Sequence, residues 1–262
     1  MHLEAGCEIT YEMAEPTPLF LMLRPRSGLS QLVSHEHYTL IPAVPVSDYV
    51  DAYGNLCQRL EAPAGRFGIY ASARVEVSET VDVHPGAPYT SVLELPANVI
   101  EFLLPSRYCP SDLLGDQARQ IVADATPGYD QVEAIRSWIH TNVEYCYGTS
   151  NGSTSAQDTF TERRGVCRDF AHLGIALCRG LDIPARVVTG YLHQLKPMDM
   201  HAWFEAFVAG RWYTFDATQA QPRGGRIVIA YGRDAADVAL AIEFGAATLT
   251  EMRVWVNDGA DL

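Results

Sequence analysis

The chain has 262 residues, of which 48% are hydrophobic and 19% are charged, and this balance is typical of a globular protein rather than a disordered one. Its formal net charge of -13 argues against a surface that binds the phosphate backbone of nucleic acids. The length is sufficient for one large domain or two smaller ones with an ample core.

The beginning of the chain has neither a basic segment nor an apolar segment of the kind found in secretory signals. The apolar run 235–247 is interrupted by Asp237 and Glu243 and is too short to cross a bilayer. The six cysteines form no CxxC pair, which favours free and mostly buried thiols in a reducing compartment. We therefore expect a cytoplasmic protein that binds neither membrane nor nucleic acid. The sequence does not indicate its oligomeric state.

Residues 1–85 have the pattern of a β-rich domain. Apolar and polar residues alternate in 7–13 and 67–77, and 19–23 is a short apolar run typical of a buried strand. Prolines and glycines separate these runs, and helical periodicity does not begin before residue 110. The pattern predicts a β-sandwich-like amino-terminal domain. The proline-rich segment 86–110 predicts a linker.

From residue 111 the pattern changes to helices followed by strands. Apolar periodicity predicts helices over 113–125, 131–143 and 167–179, and the last of them ends at Gly180. Later segments have the pattern of strands, which is typical of an α+β domain. The predicted strands are 185–192, 202–208, 211–215, 226–230 and 248–256. We assign residues 111–262 to this second domain.

Cys167 is the first candidate for chemistry. It lies in the first turn of a predicted helix, where the helix dipole and the unpaired backbone N–H groups both favour a thiolate. The same N–H groups could bind the oxyanion that forms when a thiolate attacks a carbonyl. This position alone leaves open that Cys167 is a structural core thiol like Cys178.

A predicted hairpin adds a second and a third candidate. If Ala209-Gly210 forms a two-residue turn, Val208 pairs with Arg211, and His201 and Asp216 share a face about 7 Å apart at Cβ. A carboxylate at that position can orient an imidazole whose other nitrogen takes a proton from a thiol. Each residue alone is more often structural, as a satisfied core histidine or a turn-forming aspartate. Together with the cysteine they predict a Cys-His-Asp triad.

Four segments of the chain form an ordered set of motifs, which are 165–171, 181–191, 201–203 and 212–218. In order and spacing they resemble the motifs of the transglutaminase-like superfamily, and the likeness extends over about residues 105–257. The resemblance implies a papain-like core in which a helix carrying the nucleophile Cys167 packs on a sheet that supplies His201 and Asp216. Ala217 departs from the family, which usually has proline after the aspartate.

Three more residues are candidates for supporting roles. Trp203 could shield the histidine–carboxylate bond, although core packing explains it equally well. Asp169 could order the loop before the cysteine, although an aspartate in a first helical turn is also favoured by the dipole. Gln157 could donate a hydrogen bond to an oxyanion.

The expected activity is acyl transfer from a peptide or another amide-bearing substrate through a thioester at Cys167. Release to water, as in a peptidase or amidase, is preferred over transfer to an amine, as in a transglutaminase. A non-catalytic protein-interaction module and, more weakly, a metal hydrolase are the alternatives. Neither a cofactor motif nor a metal-ligand set is expected from the sequence.

Overall fold

The alternating segments of residues 2–77 form strands, as the sequence predicts. The computed structural model describes residues 1–28 and 30–259. Its first strands are β1 (His2–Met13), β2 (Thr17–Leu21), β3 (Gln31–Ile41), β4 (Val46–Val50), β5 (Leu56–Ala62) and β6 (Gly65–Val77).

These strands are shared between the two facing sheets of a sandwich. Two strands from the end of the chain, β13 (Ala241–Glu243) and β14 (Ala247–Asp258), complete the sheets. The strand orders are β14-β1-β6-β3 and β13-β2-β5-β4. Every second residue of β1 points inward, so that side chains such as Ile9 and Met13 pack with Leu19 and Leu21 of β2. The sandwich therefore has a core of its own.

Strand β14 is antiparallel to β1 over nearly the full length of both, from Leu3 opposite Asp258 to Met13 opposite Ala247. The expected boundary near residue 85 remains a prediction, but the end of the expected domain 111–262 differs from the structure. Residues 241–258 belong to the sheets of the sandwich. An alternating pattern predicts a strand but does not specify which sheet that strand joins.

The segment expected to be a linker contains two short 3-10 helices, Val92–Glu94 and Ile100–Leu103. It is tied to the second half of the chain through backbone hydrogen bonds, including one from Tyr129 N–H to the Ala87 carbonyl at 2.9 Å. Gly128 is required beside it, because its φ is +114° and an added Cβ would lie 2.2 Å from the Ala87 oxygen. The segment is thus packed against the rest of the protein.

The second half contains the predicted helices and strands, although some bounds differ. The predicted helix 113–125 is a 3-10 turn, Ser111–Leu113, followed by a short helix over Gly115–Ile121. The helix over Ala156–Glu162 was not predicted, because seven residues are too few to show helical periodicity. Within the described residues, no helix combines the length and the apolar character needed to cross a membrane. The helices are α1 (Gly115–Ile121), α2 (Tyr129–Asn142), α3 (Ala156–Glu162) and α4 (Cys167–Arg179).

The strands of the second half form one large sheet and one small one. The strands are β7 (Glu144–Tyr145), β8 (Arg164–Gly165), β9 (Ala185–Leu192), β10 (His201–Val208), β11 (Arg211–Phe215) and β12 (Arg226–Gly232). The large sheet has the order β11-β10-β9-β12, and all neighbouring strands are antiparallel. The small sheet is the parallel pair β7-β8 beside the start of α4.

Helix α4 is the centre of this half. All of its residues from Asp169 to Arg179 are buried. Gly174 lets the helix approach the ring of Phe204 on β10, since an added Cβ would lie 2.5 Å from a ring carbon. The close packing of helix and sheet fixes the position of the first residue of α4 relative to β10.

Two amide side chains of the sandwich cap β12, an edge strand of the large sheet. Gln31 donates to the Val228 carbonyl at 2.8 Å and accepts from the Val228 N–H at 2.7 Å. Asn55 makes the same pair of bonds to Tyr231, at 2.8 and 2.9 Å. Each amide satisfies backbone groups that a neighbouring strand would otherwise satisfy. The sandwich and the large sheet are therefore joined by directional contacts.

We predict that Gly174→Val lowers the free energy of unfolding by about 1–3 kcal/mol, because the added methyl groups overlap the Phe204 ring in a packed core. Urea unfolding followed by circular dichroism measures this loss. Gly152→Val is the matched control, because Gly152 is exposed and an added Cβ meets no atom within 4 Å. Equal losses in the two variants would contradict the packing argument.

Candidate active site

The start of α4 is defined by an aspartate in its first turn. Asp169 accepts a hydrogen bond from the Val166 N–H at 2.9 Å, and an ion pair to Arg168 at 3.0 Å offsets its charge. Glycine is needed at position 165, because an added Cβ would lie 2.7 Å from the Cβ of Asp169. Asp169 thus orders the residue that precedes Cys167, and the helix begins sharply at the cysteine.

The predicted hairpin register is confirmed. Val208 pairs with Arg211, and the turn residues Ala209 and Gly210 have φ values of 49° and 77°, which suit a two-residue hairpin turn. This register extends to the other end of the hairpin, where His201 begins β10 and Asp216 follows β11. His201 Nε2 donates to Asp216 Oδ2 at 2.7 Å, and both residues are buried.

The Cys167 thiol is the third member of the predicted set. It lies close enough to His201 to contribute to the raised pKa of the imidazole, as Asp216 does. His201 therefore has both other predicted residues as neighbours, and a catalytic role for the three remains a prediction.

Cys167 also differs from most other cysteines in its exposure. It is half-buried, as is Cys146, and all six cysteines are free thiols. Burial raises the pKa of Cys7 to about 11 and that of Cys109 to about 12, which keeps these thiols protonated at neutral pH. The buried cysteines are Cys7, Cys57, Cys109 and Cys178.

Within residues 1–28 and 30–259, the carboxylate of Asp216 accepts four hydrogen bonds from three residues. Oδ2 accepts from Arg226 Nη2 at 2.8 Å as well as from His201. Oδ1 accepts from the backbone N–H of Thr218 at 3.0 Å and from its hydroxyl at 2.7 Å. Arg226 was not predicted from the sequence, because a single charged residue at the start of a strand gives no signal that it points inward.

Charge balance determines the protonation of this pair. Burial alone would raise the pKa of Asp216, but the Arg226 and His201 cations outweigh burial and hold that pKa well below its ordinary value. Burial acts to lower the pKa of His201, yet the charge and hydrogen bond of Asp216, together with Cys167, raise it to about 9. At neutral pH the pair is therefore a carboxylate beside an imidazolium.

Of the candidate supporting residues, Trp203 lies beside the pair. It is 1% exposed, and its ring centroid is 6.0 Å from that of His201. The guanidinium carbon of Arg226 lies 4.8 Å from the tryptophan ring centroid. Gln157 is exposed in the first turn of α3. The catalytic roles suggested for these side chains remain predictions.

A charged segment that binds the far side of α4 was not predicted from the sequence either. Buried Asp234 accepts from the N–H of Tyr108 at 2.7 Å, and the ring of His172 on α4 accepts from the N–H of Ala235 at 3.1 Å. Arg179 donates to the Arg233 carbonyl at 2.7 Å. In the sequence, the charged residues of this otherwise apolar segment are the signal that could have indicated these contacts. Across residues 1–28 and 30–259, no group of three or more His, Cys, Asp or Glu side chains is placed to hold a metal ion.

We predict that Asp216→Asn lowers the pKa of His201 well below about 9, because the lowering effect of burial is then opposed by Cys167 alone. NMR titration of the imidazole resonance that disappears in His201→Gln measures the change. Glu205→Gln is the matched control, since Glu205 is a buried carboxylate on the same strand that pairs with Arg186 instead.

The same pair makes stability depend on pH. The pKa of His201 in the folded protein lies above its ordinary value of 6.5. The charged pair therefore stabilises the folded protein fully below pH 6.5, and this stabilisation is lost as the pH rises through about 9. Asp216→Asn should remove this part of the pH dependence of the free energy of unfolding. An unchanged His201 titration in Asp216→Asn would contradict both statements.

Comparison with known proteins places the chain in a family. Residues 115–217 match the model of the transglutaminase-like superfamily. The chain is 30% identical over 234 residues to an uncharacterized protein of Mycobacterium leprae, covering 83% of this chain and 82% of that protein. An uncharacterized protein of Mycobacterium tuberculosis H37Rv is 31% identical over 250 residues, covering 82% of this chain and 77% of that protein.

A crystal structure extends the likeness to the complete fold. It is that of a candidate cysteine protease from Cytophaga hutchinsonii, which is 41% identical and superposes with a TM-score of 0.93. The match covers 100% of this chain and 92% of the Cytophaga protein, so it includes the sandwich as well as the large sheet. The chain therefore belongs to the transglutaminase-like superfamily.

Proposed function

We propose that this protein is a cysteine-nucleophile hydrolase that cleaves amide bonds of peptides or other amide-bearing substrates through a thioester at Cys167. The observation that carries the proposal is the 2.7 Å contact between His201 Nε2 and Asp216 Oδ2, with the Cys167 thiol close enough to contribute to the raised pKa of the same imidazole. Membership of the superfamily and the likeness to the Cytophaga cysteine protease candidate support it.

In the first half of the reaction, the sulfur of Cys167 attacks the carbonyl carbon of the amide. The thiol proton resides on His201, and the imidazolium donates it to the leaving amine when the tetrahedral intermediate collapses. Asp216 orients the ring through Nε2 and stabilises its positive charge. Backbone N–H groups in the first turn of α4 are available to the oxyanion.

In the second half, water attacks the thioester. Neutral His201 takes a proton from the water, and collapse of the second intermediate releases the acid and regenerates the thiolate–imidazolium pair. Water is favoured over an amine as the acceptor because it is always available and the sequence indicates no amine-acceptor site. The description of the Cytophaga relative as a protease candidate also favours hydrolysis.

We predict that Cys167 is the thiol alkylated fastest by iodoacetamide at near-neutral pH, by about 10-fold or more over any other cysteine. Cys167→Ala should remove the fast phase, which mass spectrometry of the labelled peptides measures. Cys146→Ser is the matched control, because Cys146 is the other half-buried thiol. Loss of the fast phase in Cys146→Ser, with its retention in Cys167→Ala, would refute a privileged thiolate at Cys167.

Turnover tests the reaction itself. Wild-type protein incubated with a library of peptide amides should release free acids, and Cys167→Ala should reduce the rate by about 1,000-fold or more. A fluorescent primary amine added to the same mixture separates the outcomes. Its incorporation in preference to hydrolysis would indicate a transglutaminase-type acceptor. Failure of the folded wild-type protein to form any acyl-thioester would instead support a non-catalytic module.

A further inference from the structure

Arg226 is a buried cation beside the candidate triad. It is the first residue of β12 and is 9% exposed. Its Nη2 donates to Asp216 Oδ2 at 2.8 Å, its Nε donates to the Arg223 carbonyl at 2.9 Å, and its guanidinium carbon lies 4.8 Å from the Trp203 ring centroid. These contacts on separate sides restrict the guanidinium to one orientation.

The strand that carries Arg226 is itself held from two directions. On one side β12 pairs with β9, and Arg226 lies opposite Leu192. On the other side, Gln31 and Asn55 of the sandwich bind the β12 backbone. The position of the guanidinium thus depends on the large sheet and on the sandwich, as well as on the Arg223 carbonyl of the preceding loop.

We propose that Arg226 is a positioning residue for the hydrolysis proposed above, which holds the Asp216 carboxylate in the orientation that faces His201. The expected effect of Arg226 on catalysis rests on the proposed function. The geometric basis for this role is that one carboxylate oxygen, Oδ2, is shared by His201 at 2.7 Å and Arg226 at 2.8 Å. Without Arg226, the buried carboxylate would lose one of the two cations that compensate its charge.

Other charged and titratable groups near Asp216 do not replace Arg226. Arg136 is engaged by Glu133 at 2.7 Å, and Arg223 donates to the side chain of Gln219 and to the His193 carbonyl. The groups that face Asp216 or line the small cavity behind it are His201 from β10, Arg226 from β12, Arg223 from the preceding loop, and Tyr129, Glu133 and Arg136 from α2.

A purely structural ion pair is the alternative, and the same sheet offers an example. Arg186 on β9 pairs with Glu205 on β10 at 2.6 Å, and its guanidinium carbon lies 4.1 Å from the Trp212 ring centroid. That pair resembles Arg226–Asp216 in chemistry and surroundings, but its carboxylate has no contact with His201. Arg186→Met is therefore a matched control for Arg226→Met.

The kinetic test compares the two variants with wild-type protein on one hydrolysed amide. We expect Arg226→Met to reduce kcat by about 10- to 100-fold through misplacement of the imidazole, with KM unchanged within about 3-fold. Arg186→Met should leave kcat within about 3-fold of wild type. Equal falls in kcat in both variants would assign Arg226 a structural role and overturn the proposal.

The second readout is the NMR titration of His201, which needs no turnover. Removal of the Arg226 charge raises the pKa of Asp216, so the His201 resonance should gain a step on the acid side, at a pH where wild type shows none. Arg186→Met should keep the wild-type curve. Identical curves for Arg226→Met and wild type would overturn the proposal.

Two further comparisons keep the test decisive. If Arg226→Met does not fold, Arg226→Lys carries the test, because lysine retains a charge but cannot contact both Asp216 and the Arg223 carbonyl. For Arg226→Lys we expect kcat to fall by about 10-fold and the His201 titration to show no additional step on the acid side. A wild-type kcat in Arg226→Lys would overturn the proposal. If wild-type protein hydrolyses no amide, the proposed function fails, and the titration alone still decides whether Arg226 controls the Asp216–His201 pair.

Discussion

The site depends on one electrostatic constraint, which is that a buried carboxylate must have its charge compensated. Asp216 is 6% exposed, and an unpaired charge at such a position costs several kcal/mol. Its two cationic partners come from different strands, His201 from β10 and Arg226 from β12, and β9 lies between them in the sheet. The charge balance is therefore satisfied only when these strands are assembled in the observed order. The same contacts therefore stabilise the assembled sheet and orient the imidazole of His201.

Helix α4 supplies the remaining component of the site and is positioned independently of the carboxylate. Its start is determined by Asp169 and by the absence of a side chain at Gly165, and its distance from β10 is determined by Gly174 against Phe204. At both glycines, the absence of a side chain allows a neighbouring side chain to approach the backbone closely. The helix and the sheet thus fix the position of Cys167 relative to β10, the strand that carries His201. A helix that begins at a cysteine and packs on an antiparallel sheet is the arrangement expected of a transglutaminase-like core.

The parts of this arrangement that could be predicted from sequence are those encoded by local pattern. The β10–β11 register follows from the turn at Ala209 and Gly210, and α4 follows from its apolar residues and from Gly180 at its end. Arg226 could not be predicted in the same way, because an arginine at a strand end is ordinarily solvated, and its partner is determined by tertiary structure. The capping of β12 by polar side chains such as Gln31 was beyond prediction for the same reason. Local pattern specifies elements, whereas buried polar contacts depend on how the elements are assembled.

The pairing of β14 with β1 also has a consequence for synthesis of the protein on the ribosome. Leu3 is paired with Asp258, so β1 lacks one of its neighbours until nearly all of the described chain has emerged. Before that moment the amino-terminal strands expose backbone groups and apolar side chains that the finished sheets bury. Contacts so distant in sequence also form slowly. The nascent chain therefore passes through a long period with an open sheet edge, during which chaperones have access to it, and a chain whose translation stops before β13 cannot complete the sandwich.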